Sequence, residues 1–198
     1  DPYRSVANNS AVYEQKPTNA ELMDEWVALM KSGTGERGIF NRGSLEKTMP
    51  ERRIKLLQKK YGKKGNFIGQ VGTNPCGEII LQSKQFCNLS EVIARADDTP
   101  KSLMRKAKLA TLLGTYQSTL VNFNYISKEW EENCKAERLL GVSITGQWDC
   151  PAVRDGKMMK KMREVTKKTN AVYAKRFGIN PSSSITCVKP SGTVSQTF

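Results

Sequence analysis

Four amphipathic stretches, each with its own start and stop signals, are separated by short β-branched runs. That alternation constrains the fold of this chain more than any other feature. Thr18 and Glu21 stand three residues apart after Pro17, the spacing of a capping box. Leu22, Trp26, Leu29 and Met30 then recur at helical period until Gly33 and Gly35. A second helix is predicted from about Pro50 through Ile54, Leu56, Leu57 and Tyr61, ending where Gly62 and Gly65 break it. Thr99-Pro100 offers an N-cap and a first helical residue for a third, to about Asn122, with Leu103, Ala107, Ala110, Leu113, Tyr116 and Leu120 along it. The fourth runs from Asp155 to Phe177 and is closed by Gly178. Between them, residues 5–12, 67–71, 78–81, 86–93, 138–145 and 184–188 read as extended or partly so. Strands alternating with long helices indicate an α/β architecture with parallel strands.

The segment Asn74-Pro75-Cys76-Gly77-Glu78-Ile79-Ile80-Leu81, followed by Cys87-Asn88-Leu89, carries the chemistry. In an extended backbone, alternate residues share a side, so Asn74, Cys76 and Glu78 are predicted to project into one pocket while Pro75 and Gly77 turn away. An amide, a sulfur and a carboxylate side by side make a catalytic constellation. The plainer reading is a small apolar Cys on a buried strand beside a turn. It leaves unexplained a carboxylate on the same face, which is costly to bury without a partner.

Charge and cysteine usage narrow the classes. The chain has 198 residues, enough for one domain with a real core, and Lys+Arg 32 against Asp+Glu 19 gives a net charge of +13. That balance suits a polyanion, either nucleic acid or nucleotide phosphates. Basic clusters at 52–55, 59–64 and 157–168 read first as solvated helix faces and loops, since no nucleic-acid recognition motif accompanies them. Cysteines 76, 87, 134, 150 and 187 form no C-x-x-C pair and there is no His, so a zinc site or other protein-held metal is not expected. Their odd number and the lack of any apolar run of membrane-spanning length point to a reducing cytoplasm without a membrane.

The segment at 74–79 with Cys87-Asn88-Leu89 resembles the active-site finger loop of ribonucleotide reductases. The eleven-residue gap between its cysteines is similar to that of the adenosylcobalamin-dependent class; the aerobic di-iron class has a longer one. Arg37-Gly38-Ile39-Phe40-Asn41-Arg42 resembles the stretch before that loop in the monomeric, triphosphate-using members. Gly141-Val142-Ser143-Ile144-Thr145-Gly146 is similar to a barrel strand and turn of the family, and Lys189-Pro190-Ser191-Gly192-Thr193-Val194-Ser195 to its phosphate-binding turn. The resemblance implies that residues 1–198 are an internal part of a ten-stranded α/β barrel, with a central finger loop at about 73–89 and the phosphate turn at about 189–195. It also implies that complementary reductase fragments or flanking sequence complete the fold.

For function, the resemblance implies thiyl-radical reduction of ribonucleotides, with triphosphates the expected substrates, and adenosylcobalamin as cofactor. Cys76 would carry the radical and take the 3′ hydrogen. Glu78 would act as general base on the 3′ hydroxyl, and Asn74 would orient the sugar. Cys87 would be one of two thiols that supply reducing equivalents, recharged by an external dithiol such as thioredoxin. In the family the partner of Cys87 precedes the region this chain covers, and Cys134, Cys150 and Cys187 match no motif for it. Nucleotide effectors belong to the same expectation. Pro190, Ser191, Gly192 and Thr193 are candidate phosphate binders, although an ordinary Pro-Ser-Gly turn fits the spacing alone. Asn8, Asn9 and Ser10 are candidates to line the substrate pocket, with an Asx-type turn as the alternative. Two other readings stay open: a segment of an iron-dependent large subunit, and a basic nucleic-acid-binding module carrying a buried Cys.

Overall fold

A computed structural model describes residues 9–35, 37–62 and 67–192. The chain divides into two compact units, residues 1–83 and 84–198, so the boundary falls inside the expected finger-loop segment.

In the first unit, strand β1 (Asn9–Tyr13) pairs in parallel with β2 (Arg37–Asn41), and helix α1 (Asn19–Ser32) makes the crossover. The Thr18–Glu21 capping box forms as read, with the Glu21 carboxylate accepting from the Thr18 N–H at 2.8 Å, and Gly33 ends the helix in the left-handed region. None of the side chains of α1 is buried, so the stripe through Leu22, Trp26 and Met30 is left at the surface. Helices α2 (Leu45–Thr48) and α3 (Glu51–Tyr61) pack a small core of Leu45, Met49, Leu57, Phe67, Ile68 and Val71. The strand expected over 67–71 is instead a turn of 3-10 helix over Phe67–Gln70 leading into β3 (Val71–Thr73). Phe67 and Ile68 are both buried, which a half-exposed strand with alternating faces would not allow. Strand β3 pairs antiparallel with β4 (Ile80–Gln82), so residues 74–79 form the loop of a hairpin.

The second unit has an α/β organisation of parallel strands. Strand β5 (Asn88–Ile93) runs parallel to β6 (Leu140–Thr145), with Leu89 opposite Gly141. On the other side of β6, residues 184–187 run alongside. The Leu140 N–H donates to the Ser184 carbonyl at 3.0 Å, and the Cys187 N–H to the Val142 carbonyl at 3.2 Å. Helices α4 (Pro100–Gln117) and α6 (Gly156–Arg176) pack against each other, and α4 also packs on β5 and β6. Leu103, Ala107, Ala110, Val92, Leu140, Val142, Met158 and Met162 share the core. Helix α4 stops at Gln117 rather than Asn122, and the Arg138 guanidinium donates to the Ser118 carbonyl left open just past its end. Leu113, Tyr116 and Leu120, expected to continue its buried stripe, are exposed.

Helix α5 (Lys128–Glu137) has no counterpart among the sequence expectations. Its buried face is Asn133, Cys134 and Glu137, with Glu137 accepting from the buried Gln85 amide at 3.1 Å. A helix that buries polar groups against partners far away in sequence leaves no apolar period to read.

Asn170 of α6, 1 % exposed, ties three segments together. Its amide donates to the Thr115 and Ser182 hydroxyls at 3.0 and 2.9 Å, and its carbonyl accepts from the Ser182 N–H at 2.9 Å. Asn170→Ala strands the Ser182 N–H in the interior and is expected to destabilise the unit by about 2–4 kcal/mol. Urea denaturation of the two proteins measures this; equal midpoints would show that the network is dispensable.

Candidate functional site

The hairpin loop that joins β3 to β4 is held by its own backbone and by one side chain. The Asn74 N–H donates to the Ile79 carbonyl at 3.1 Å, and the Gly77 N–H to the Asn74 carbonyl at 3.0 Å. The second bond closes a tight turn over Pro75 and Cys76. Gly77 follows with φ +82°, a conformation that costs a residue with a Cβ but not glycine. The segment is therefore a turn and not the extended strand the alternation argument assumed. Pro75, Cys76 and Gly77 point to the same cavity instead of alternating.

Asn74 and Glu78 still meet, by a different route. The Asn74 amide donates to the Glu78 carboxylate at 2.8 Å, and the Asn74 side-chain oxygen accepts from the Ile79 N–H at 3.0 Å. Both side chains are half-buried. An amide that is fixed at both ends orients the carboxylate, and its second N–H hydrogen stays available to a ligand. Cys76, at the tip, is exposed.

Cys76 opens on a cavity of about 430 Å³, bounded also by Ser10, Gly38, Phe40, Arg42 and Thr73. Ser10 is thus brought to the cavity that Cys76 faces. Asn9 sits opposite Arg37 at the exposed edge of β1, and Asn8 lies outside the described residues. Arg42 supplies a positive charge to the cavity wall, held by Glu14 at 3.0 Å and by the Val71 carbonyl at 3.4 Å. It lines the cavity, and motif reading did not single it out. The signal was its place at the end of Arg37-Gly38-Ile39-Phe40-Asn41-Arg42, directly after a strand.

The remaining candidates lie in the second unit. Cys87 immediately precedes β5 and is half-buried. The Lys189 N–H donates to the Ser143 hydroxyl at 3.0 Å, and the Lys189 ammonium lies 3.4 Å from the Glu91 carboxylate. The Ser191 hydroxyl also donates to Glu91, with Ser191 in the left-handed region at φ +48°. Glu91 therefore anchors the proposed phosphate turn, with Pro190 and Gly192 exposed beside it. Glu91 was legible only as the one charged residue of its strand. Thr193 lies outside the described residues.

Among the described residues, no group of three or more His, Cys, Asp and Glu is placed to hold a metal ion. No helix of these residues is long and apolar enough to cross a membrane.

No protein-family model matches the chain. Its sequence is 30% identical, over 98% of its length, to the adenosylcobalamin-dependent ribonucleoside-triphosphate reductase of Lactobacillus acidophilus, and 29% identical over 97% to that of Lactobacillus leichmannii. The corresponding reductase of Levilactobacillus brevis is 26% identical over 98% of the chain. The chain spans about 28% of the length of each of these relatives. Its structure is similar to a crystal structure of a B12-dependent, class II ribonucleotide reductase, with a TM-score of 0.54 and 27% identity, over 65% of this chain and 22% of that one. The resemblance carried by the four motifs is the one these comparisons return.

Proposed function

We propose that this chain is a catalytic-core segment of an adenosylcobalamin-dependent ribonucleoside-triphosphate reductase, forming part of a ten-stranded barrel with residues 74–79 at the tip of its finger loop. The observation that carries the reading is the hairpin that exposes the Cys76 thiol at a cavity while Asn74 holds the Glu78 carboxylate on the same loop. The named activity of the relatives, which the chain matches over nearly all its length, supports it. The cofactor in their names favours it over an iron-dependent large subunit.

The exposed thiol fits a radical source that approaches from outside this segment. When bound, adenosylcobalamin supplies the initiating radical. Cys76, as a thiyl, takes the 3′ hydrogen of the ribose. Glu78 accepts the 3′ hydroxyl proton, and the 2′ hydroxyl departs as water. The free N–H of Asn74 positions the sugar. Cys87 gives one of two thiol hydrogens, so that ribonucleotide and two thiols become deoxyribonucleotide, disulfide and water. An external dithiol such as thioredoxin restores the pair in a reducing cytoplasm. The turn at 189–195 receives the substrate phosphates, and nucleotide effectors act through the larger remainder of the enzyme.

The uncovered apolar faces of α1 (Leu22, Trp26, Met30) and α4 (Leu113, Tyr116, Leu120) support docking of complementary reductase sequence. The test is to exchange this chain for the matching segment of the Lactobacillus acidophilus reductase and follow deoxyribonucleotide formation. Activity that depends on adenosylcobalamin is the expected result. Inactivity of a folded chimera, or activity that instead requires iron, would overturn the proposal. In the active chimera, Glu78→Gln is expected to lower turnover by about 10²–10⁴-fold, the usual contribution of a general base, with the fold intact by circular dichroism. Unchanged turnover would remove Glu78 from the chemistry.

A further inference from the structure

Strand β5 reads Asn-Leu-Ser-Glu-Val-Ile, and its one charged residue, Glu91, stands opposite Ser143 of β6. Residues paired across neighbouring strands project from the same face of a sheet, so the carboxylate and the hydroxyl rise side by side. The segment that runs alongside β6 continues as residues 189–192 and meets both. The Lys189 N–H donates to the Ser143 hydroxyl at 3.0 Å. The Lys189 ammonium lies 3.4 Å from one Glu91 oxygen, and the Ser191 hydroxyl donates to the other.

These two supports act on different parts of the turn. Ser143 holds the Lys189 backbone, and the bond from the Cys187 N–H to the Val142 carbonyl holds the chain just before it. Glu91 bonds, among the described residues, only to two side-chain tips, an ammonium and a hydroxyl. Those are the groups such a turn would offer to phosphate oxygens. A carboxylate engaged through both its oxygens thus stands where two oxygens of a phosphate would. The Glu91 side chain is 8% exposed and that of Lys189 19%, so the pair is largely out of water and neither charge can be left alone cheaply.

We propose that Glu91 is the resident counter-anion of the phosphate turn: it occupies Lys189 and Ser191 while the turn is empty and yields them to the phosphates of a nucleotide. The exchange rests on the reading of 189–195 as the turn that receives substrate phosphates. It is non-covalent, one ion pair and one hydrogen bond passing from carboxylate to phosphate. The turn keeps its shape throughout, because Ser143 and the strand bonds do not take part. A filled turn brings a polyphosphate close to a carboxylate, and that like-charge approach weakens binding. The affinity of the turn is therefore a difference between two anions, lower than the same donors would give alone.

A Glu91 that only shaped the turn would behave in the opposite way. Glutamine keeps the length of the side chain and an oxygen for Ser191 but carries no charge. If shape were the whole role, phosphate binding would hold steady or fall in Glu91→Gln. As a counter-anion, Glu91 is instead a brake on binding, and removing its charge releases Lys189 to the ligand.

The experiment titrates inorganic tripolyphosphate into the full chain by calorimetry at one fixed salt concentration, since the net charge of +13 attracts polyanions elsewhere. Glu91→Gln is expected to bind about fivefold more tightly or better, at matched circular dichroism. Adding Lys189→Gln to that variant is expected to remove the gain. Equal or weaker binding by Glu91→Gln would overturn the proposal. So would a gain that survives Lys189→Gln, which would put the polyphosphate on the basic clusters. Should Glu91→Gln not fold, the parent chain with carbon-13 at its glutamate carboxyls decides: the Glu91 resonance is expected to shift as tripolyphosphate saturates, and an unmoved resonance would overturn the proposal. The reductase reading is tested separately by the chimera and its need for adenosylcobalamin, so each can fail without the other.

Discussion

Replacing Cys76 with serine is expected to abolish ribonucleotide reduction in the reconstituted enzyme, by on the order of 10³-fold or more, while leaving the fold untouched. Both halves follow from the loop. Cys76 is exposed, and the bonds that hold the turn run through the backbones of Asn74, Gly77 and Ile79 and through the Asn74 amide, none of them through the sulfur. Serine has nearly the same shape, so the change in stability stays within about 0.5 kcal/mol. A hydroxyl, however, cannot replace a thiol in hydrogen-atom transfer, because its O–H bond is much stronger than S–H. The decisive comparison is deoxyribonucleotide formation by the two proteins at matched circular dichroism. A serine variant that still turns over at a tenth of the parent rate would mean that some other group begins the chemistry.

The largest effect on stability is expected from Gly146→Ala, a change of one methyl. Gly146 follows β6 with φ +76°, and a Cβ there would stand 2.1 Å from the Ala94 carbonyl oxygen. The left-handed conformation alone costs a non-glycine residue about 1–3 kcal/mol. The carbonyl cannot yield easily, since the Ala94 N–H is bonded to the Thr145 carbonyl at 2.9 Å, which fixes the backbone at the ends of β5 and β6. A loss of about 3 kcal/mol or more follows, seen as a melting temperature lowered by roughly 10 °C or more. Gly178→Ala is the matched control. Gly178 also has positive φ, at +66°, yet meets nothing within 4 Å, so only the conformational part should remain. Equal losses at the two positions would show that the close approach at Gly146 carries no weight.

Elements with local signals were legible. The capping box at Thr18, the Thr99-Pro100 start and the Asp155 start each satisfy helix N–H groups through residues two or three positions away, so short sequence windows contain the whole interaction. Helix α5 and the early end of α4 were not legible; their polar contacts run through Gln85, Glu137 and Arg138, which meet partners about twenty to fifty residues distant. At the site, the residue types at 74, 76 and 78 carried the proposed chemistry. Their geometry was misread, because a backbone hydrogen bond from Gly77 to Asn74 closes a turn where alternation had suggested a strand.

From its order of residues alone, the chain determined the helices that carry their own caps and its α/β character, since these depend on neighbours within a few positions. Folding decided which groups stand together. It set Cys76 beside Ser10 and Arg42, and tied Ser191 and Lys189 to Glu91. The physical reason is that strand pairing joins residues tens of positions apart, and local sequence has no means of encoding which strand will lie alongside.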